Sequence, residues 1–162
     1  MILGMSTSGF TLLHVVLSLI GIGIGLVVLG GMFASRRLDA WTAAFLATTA
    51  LTSVTGFFFP RSQILPSHIV GALSLVALAV AALACHRYRL EASWRWIYVV
   101  CAVLALYFNV FVLIVQAFQK AAFLNALAPT HSDPPFVIAQ VIALIGFVAA
   151  GFGAFRKFHP VF

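Results

Sequence analysis

Apolar residues run almost unbroken through five stretches, residues 9–33, 41–59, 66–85, 94–118 and 135–155, and polar residues collect between them. At about 1.5 Å of rise per residue, each stretch has the length to cross a hydrocarbon layer of about 30 Å. A chain in lipid must satisfy its own backbone polar groups, so the pattern predicts helices and not strands. Pro66 and Pro135 fall in first helical turns, where a missing N–H is no loss. Three of the four links are short, which favours antiparallel neighbours in one up-and-down bundle. The fourth covers residues 119–134, and its first half, residues 120–127, is expected to continue the preceding helix as an interfacial segment before Pro129 and Pro134 stop it. The expected architecture is all-α: one transmembrane domain of five helices covering residues 1–162.

Composition agrees with this reading. Only 7% of the residues are charged and 64% are hydrophobic, whereas a soluble domain carries about 25% charged residues. The net charge of +6 does not indicate nucleic acid, because the nine Lys and Arg residues are scattered between apolar stretches and form no basic stripe. Their placement reads instead as topology. Arg36, Arg37, Arg87, Arg89, Arg95, Arg156 and Lys157 fall on one side, with Arg61 and Lys120 on the other. Basic residues concentrate on the cytoplasmic side, so the N-terminus is expected outside and the C-terminus inside. Trp41, Tyr88, Trp94, Trp96 and Tyr98 gather at the cytoplasmic ends as an interfacial belt. Residues 1–10 hold no Lys or Arg to make the basic region of a signal peptide, so the first stretch is expected to remain as an anchor.

Small residues suggest how the helices meet. Gly21 and Gly25, with Gly146, Ala150 and Ala154, make small-residue steps that allow close approach. The Gly21-Ile-Gly-Ile-Gly25 run lacks the strand and helix context of a dinucleotide-binding loop. Thr48, Thr49, Thr52, Ser53 and Thr55 in the second stretch are expected to serve packing. Cys85 and Cys101 are expected as free thiols.

Against this background, His14 and His68 are the unusual residues. An ionisable side chain within a membrane is costly and points to function. The assigned topology places His14, His68, Gln116 and Gln140 in the outer leaflet, with Asn109 nearer mid-membrane. His14, Ser18, Gly21 and Gly25 share one face of their helix, as do His68, Gly71, Ala72, Leu75 and Ala79, while Asn109, Gln116 and Lys120 share another. Three ligands suit such a set. Haem b takes two imidazoles on facing helices, for which His14 and His68 are the candidates, with Arg61 and Lys120 near its propionates. A quinone-type ring takes hydrogen bonds in an apolar slot from His14, His68, Gln116 and Gln140. A copper site adds His131. The plainer alternative is that these side chains only hydrogen-bond helix to helix.

No catalytic motif appears, so the sequence assigns no reaction to the chain on its own and leaves open whether it is an enzyme. The stretches contain no Asp or Glu; Asp39, Glu91 and Asp133 lie in links, which weakens a transporter reading. Beside the ligand-binding reading stands an accessory or assembly subunit of a membrane complex, which would bind other membrane subunits or itself.

The segments LHVVLSLIGIGIGLVVLGG, TTALTSVTGFFFPRSQILPSHIVG and ALYFNVFVLIVQAFQKAAFLNALAPTHSDPPF resemble uncharacterised small multi-pass inner-membrane proteins of proteobacteria. That resemblance implies a bacterial inner-membrane location and brings no activity with it. GFFFPRS followed by His68 also resembles a short segment of di-haem cytochromes of the b561 type, without their full histidine set.

Overall fold

The computed structural model describes residues 4–59 and 66–160. The described residues form six helices: α1 (Thr7–Phe33), α2 (Asp39–Phe57), α3 (Pro66–His86), α4 (Trp94–Lys120), α5 (Ala122–Leu127) and α6 (Pro134–Lys157). Four of them, α1, α3, α4 and α6, are long and apolar enough to cross a membrane. The fifth expected span, α2, is 19 residues long and owes its lower hydropathy to hydroxyl side chains.

Each boundary has a local cause. Ser6 caps α1 by accepting a hydrogen bond from the Gly9 N–H at 3.1 Å. Pro134 and Pro135 occupy the first turn of α6. The helix expected to continue through residues 120–127 breaks instead at Ala121, whose extended backbone (φ −81°, ψ 115°) separates α4 from α5. The α3–α4 link turns sharply, with Arg89, Leu90 and Ala92 all at positive φ.

Helices α1 to α4 form a four-helix square in which sequential helices are neighbours and α1 closes against α4. α6 lies outside the square, along α4 and α1. The register of α1 and α2 is antiparallel over most of their length. Leu38 meets Gly31, Phe45 meets Gly25, Thr49 meets Gly21 and Thr55 meets His14. Side chains of α2 that face outward, Ala43, Ala47, Leu51 and Val54, are apolar, while Thr42, Thr49 and Thr52 turn inward and are buried.

Close approach depends on only some of the glycines. A methyl group on Gly25 would lie 2.6 Å from Leu106 and 2.8 Å from Phe45, and one on Gly153 would lie 2.6 Å from Phe33. Gly146 has nothing nearby, so α6 seats itself through Gly151, Gly153 and Ala154 and not through the expected Gly146 step.

One half of the square is filled solid. Phe45, Leu106, Val28, Met32, Val99 and Tyr98 are buried there. Phe158, just after α6, is tucked beneath Tyr98, and its carbonyl accepts from Arg95 Nη1 at 2.9 Å. Tyr98 is therefore a core residue, hydrogen-bonded to Thr42 at 3.0 Å, and not the interfacial anchor expected from its position. Trp41, Tyr88 and Trp96 do remain exposed, and Tyr88 stacks on Trp94 with centroids 3.7 Å apart. Cys85 and Cys101 are free thiols.

Candidate functional site

The other half of the square is hollow. A cavity of about 290 Å³ lies between α1, α2, α3 and α4, at the end where α1 and α3 begin and α2 and α4 finish. All four helices supply polar side chains to it: Thr11, His14 and Ser18 from α1, Thr52 and Ser53 from α2, His68 and Ser74 from α3, and Asn109, Gln116 and Lys120 from α4. Phe57, Phe59 and Phe108 add aromatic walls. No carboxylate lines it among the described residues.

Four of the five site residues expected from sequence thus share one cavity: His14, His68, Asn109 and Gln116. Gln140 does not. It sits on α6, outside the square, where its Nε2 donates to the Phe111 carbonyl at 3.2 Å and its Oε1 is buried without a partner among the described residues. The difference comes from topology, since α6 lies outside the square and a side chain on it does not reach a cavity that α1 to α4 enclose. His131 is also elsewhere, bonded to Gln119 at 3.0 Å and packed on Phe136. No three His, Cys, Asp or Glu side chains converge among the described residues, so the expected copper set does not assemble. Arg61, expected near haem propionates, lies outside the described residues.

On α3 the face turned inward is shifted from the expected one. His68 and Gly71 line the cavity as anticipated, but Ala72 and Ala79 are exposed, and Ser74, Ala77 and Ala81 take the inner positions. Ser74 was missed because a hydroxyl within a run of Leu, Val and Ala looks incidental until the face is known.

The chemistry of His14 follows from its neighbour. Thr55 Oγ1 lies 2.8 Å from His14 Nδ1. That hydroxyl is also within reach of two carbonyls one turn earlier, Leu51 at 2.8 Å and Thr52 at 3.1 Å. Its single proton serves a carbonyl, so its lone pair accepts from Nδ1–H. In the neutral ring Nε2 is then the acceptor. Phe59 holds the ring edge-on, centroids 5.3 Å apart at 87°. The His68 ring packs on Phe57 at 5.6 Å.

At the floor, Asn109 is buried at 7% exposure. Its Oδ1 accepts from Ser18 Oγ at 3.0 Å, while its Nδ2 is buried with no partner among the described residues. Thr49 Oγ1 is unpartnered in the same way. Both atoms, and Thr48 Oγ1, lie within 3.3 Å of the point that a side chain on Gly21 would occupy. These polar groups pack closely against Gly21 and leave no comfortable room for a side chain there. A buried unsatisfied donor costs about 1–3 kcal/mol, and such groups ask for an explanation.

No protein family, curated protein or solved structure matches this chain.

Proposed function

We propose that this protein is a multi-pass membrane protein that binds a small planar ligand in the cavity between α1 and α4. The observation that carries this reading is the cavity itself, in which three helices bring His14, His68, Asn109 and Gln116 together. At the filled end, by contrast, Thr42 and Tyr98 bond to each other and leave no cavity between them. A quinone-type ring fits better than haem b. The volume of about 290 Å³ stands at the lower end of the range of about 300–1,000 Å³ usual for small-ligand sites, and Phe57 and Phe59 crowd the two histidine rings.

In this reading α2 is the fifth span. It runs beside α1 from the level of Gly31 to that of His14 and presents apolar residues outward. The excess of Lys and Arg at the filled end orients that end to the cytoplasm of a bacterial inner membrane. The cavity then opens in the outer leaflet, with the bilayer as the surrounding solvent.

The test is an absorption spectrum of the detergent-purified protein, with mass spectrometry of its organic extract. A stoichiometric quinone or related ring, lost in His14→Ala and Asn109→Leu, is the expected result. A Soret band lost with either histidine would assign haem b instead. A colourless protein with an empty extract that co-purifies with a larger membrane complex would overturn ligand binding in favour of an accessory subunit.

A further inference from the structure

The cavity is lined by a cation and, among the described residues, by no carboxylate. Lys120, the last residue of α4, is exposed and lines the open end together with Gln116, one helical turn earlier. The chain holds three acidic residues, and each is placed or engaged away from Lys120. Asp39 pairs with Arg37. Asp133 stands before α6, where its Oδ2 accepts from the Thr130 N–H at 2.6 Å and from the Thr130 hydroxyl at 2.9 Å. Glu91 lies in the α3–α4 link beside Leu90, which is packed into the filled end. Among the described residues Lys120 therefore has no carboxylate partner. Thr11, at the same end of α1, spends its hydroxyl proton on the Thr7 carbonyl at 2.8 Å. Recognition at this rim thus falls to the Lys120 ammonium and the Gln116 amide, both of which favour an electron-rich oxygen.

We infer that the cavity takes a planar ring bearing an ionised acidic group, with the ring among Phe57, Phe59 and Phe108 and the acidic group at the rim on Lys120 and Gln116. This rests on the ligand-binding reading above and narrows the ligand to an aromatic or quinonoid acid. The division follows from solvation. An anion carried to the floor would lose its water without gaining a cation, whereas at the rim it keeps water on one side and the ammonium on the other. The flexible four-carbon stem of Lys120 lets that ammonium follow the acid. A lysine in the last turn of α4 also faces the negative pole of the helix. A role confined to the helix end, however, produces no preference between an acid and its amide.

2-Naphthoate and 2-naphthamide have nearly the same shape and differ in charge, so they isolate the contribution of the rim. Binding to the unaltered full-length protein in phosphatidylcholine nanodiscs is followed by ligand-observed NMR at neutral pH, against empty nanodiscs. Naphthoate is expected to bind about fivefold more tightly at low salt, the scale of one exposed ion pair. That preference is expected to shrink at high salt, as screening weakens the pair. Lys120→Met is expected to erase the preference with naphthamide binding unchanged, which also reports an intact cavity. Lys120→Arg is expected to keep it, as is Lys157→Met, which removes a like charge from the filled end. Equal binding of the two probes, or a preference that survives in Lys120→Met, overturns the acid reading and leaves ligand binding itself standing. Absence of binding by both probes overturns the acid reading as well, and together with an empty organic extract it overturns the binding reading too.

Discussion

Asn109 and Gln140 are both half-satisfied amides within apolar helices, and only the first faces a cavity. The two make a matched pair. Replacing Gln140 by Leu removes an unpartnered oxygen and one long hydrogen bond to Phe111. It is expected to leave stability unchanged or raised by up to about 1 kcal/mol, with ligand retained. Asn109→Leu likewise removes an unsatisfied donor, and Ser18 can return its proton to the carbonyl one turn earlier. Thermal unfolding of the ligand-free protein is therefore expected to show no loss of stability, whereas ligand retention falls to background. Comparable destabilisation of both variants, with ligand kept, would make Asn109 a packing residue. At this scale the sequence was informative about chemistry and silent about partners. His14, His68, Asn109 and Gln116 stood out because polar groups are rare in such helices. Thr49, Thr55 and Ser74 did not, since hydroxyls are common there and usually bond to their own backbone.

For whole helices, the deciding quantity is which face turns inward, and this is where reading the sequence reached its limit. Hydropathy located α1, α3, α4 and α6 to within a few residues, because each is apolar around most of its circumference. The same uniformity hides orientation: the Ala72 and Ala79 face of α3 looked as suitable for packing as the Ser74 and Ala77 face that is buried. Tyr98 misled for a related reason, since an aromatic residue near a span end is an anchor only if its own face points outward. Alternating glycines on α1 test the point directly. Gly25→Ala drives a methyl into Leu106 and Phe45 at 2.6–2.8 Å and is expected to cost about 1–3 kcal/mol by overpacking. Gly23→Ala, two residues earlier with nothing within 4 Å, is expected to be neutral. Thermal denaturation in one detergent compares them. The α3–α4 link offers a gain instead. Ala92 is exposed at φ 46°, a conformation that costs an L-residue about 1–2 kcal/mol. Ala92→Gly is expected to raise the unfolding midpoint by a few degrees.

For the molecule as a whole, the open cup above a filled plug favours holding a ligand over passing one through, because Phe45 and Leu106 close on Gly25 below the cavity floor. Which membrane face the cup opens toward depends on whether α2 crosses. Its antiparallel register against α1 supports the proposal that it crosses, although its hydropathy falls short of the other four long helices. Single cysteines in a Cys85→Ala, Cys101→Ala background decide this, using a membrane-impermeant maleimide on intact cells. With five crossings and an external N-terminus, Thr130→Cys reacts in intact cells, while Arg36→Cys and Ser93→Cys react only after permeabilisation. If α2 stayed on one side, the polarity of every later link would invert, and Ser93→Cys would react in intact cells while Arg36→Cys still would not. If the bundle were inserted in the opposite sense, Arg36→Cys and Ser93→Cys would react together and Thr130→Cys would be protected. The expected pattern follows from a physical asymmetry: among the described residues, seven Lys and Arg surround the filled end, against Lys120 at the other. Translocating the filled end would carry those charges across the bilayer. In the proposed orientation the cavity that collects His14, His68 and Asn109 opens away from the cytoplasm, and the proposed ligand would enter from the outer leaflet or the space beyond it.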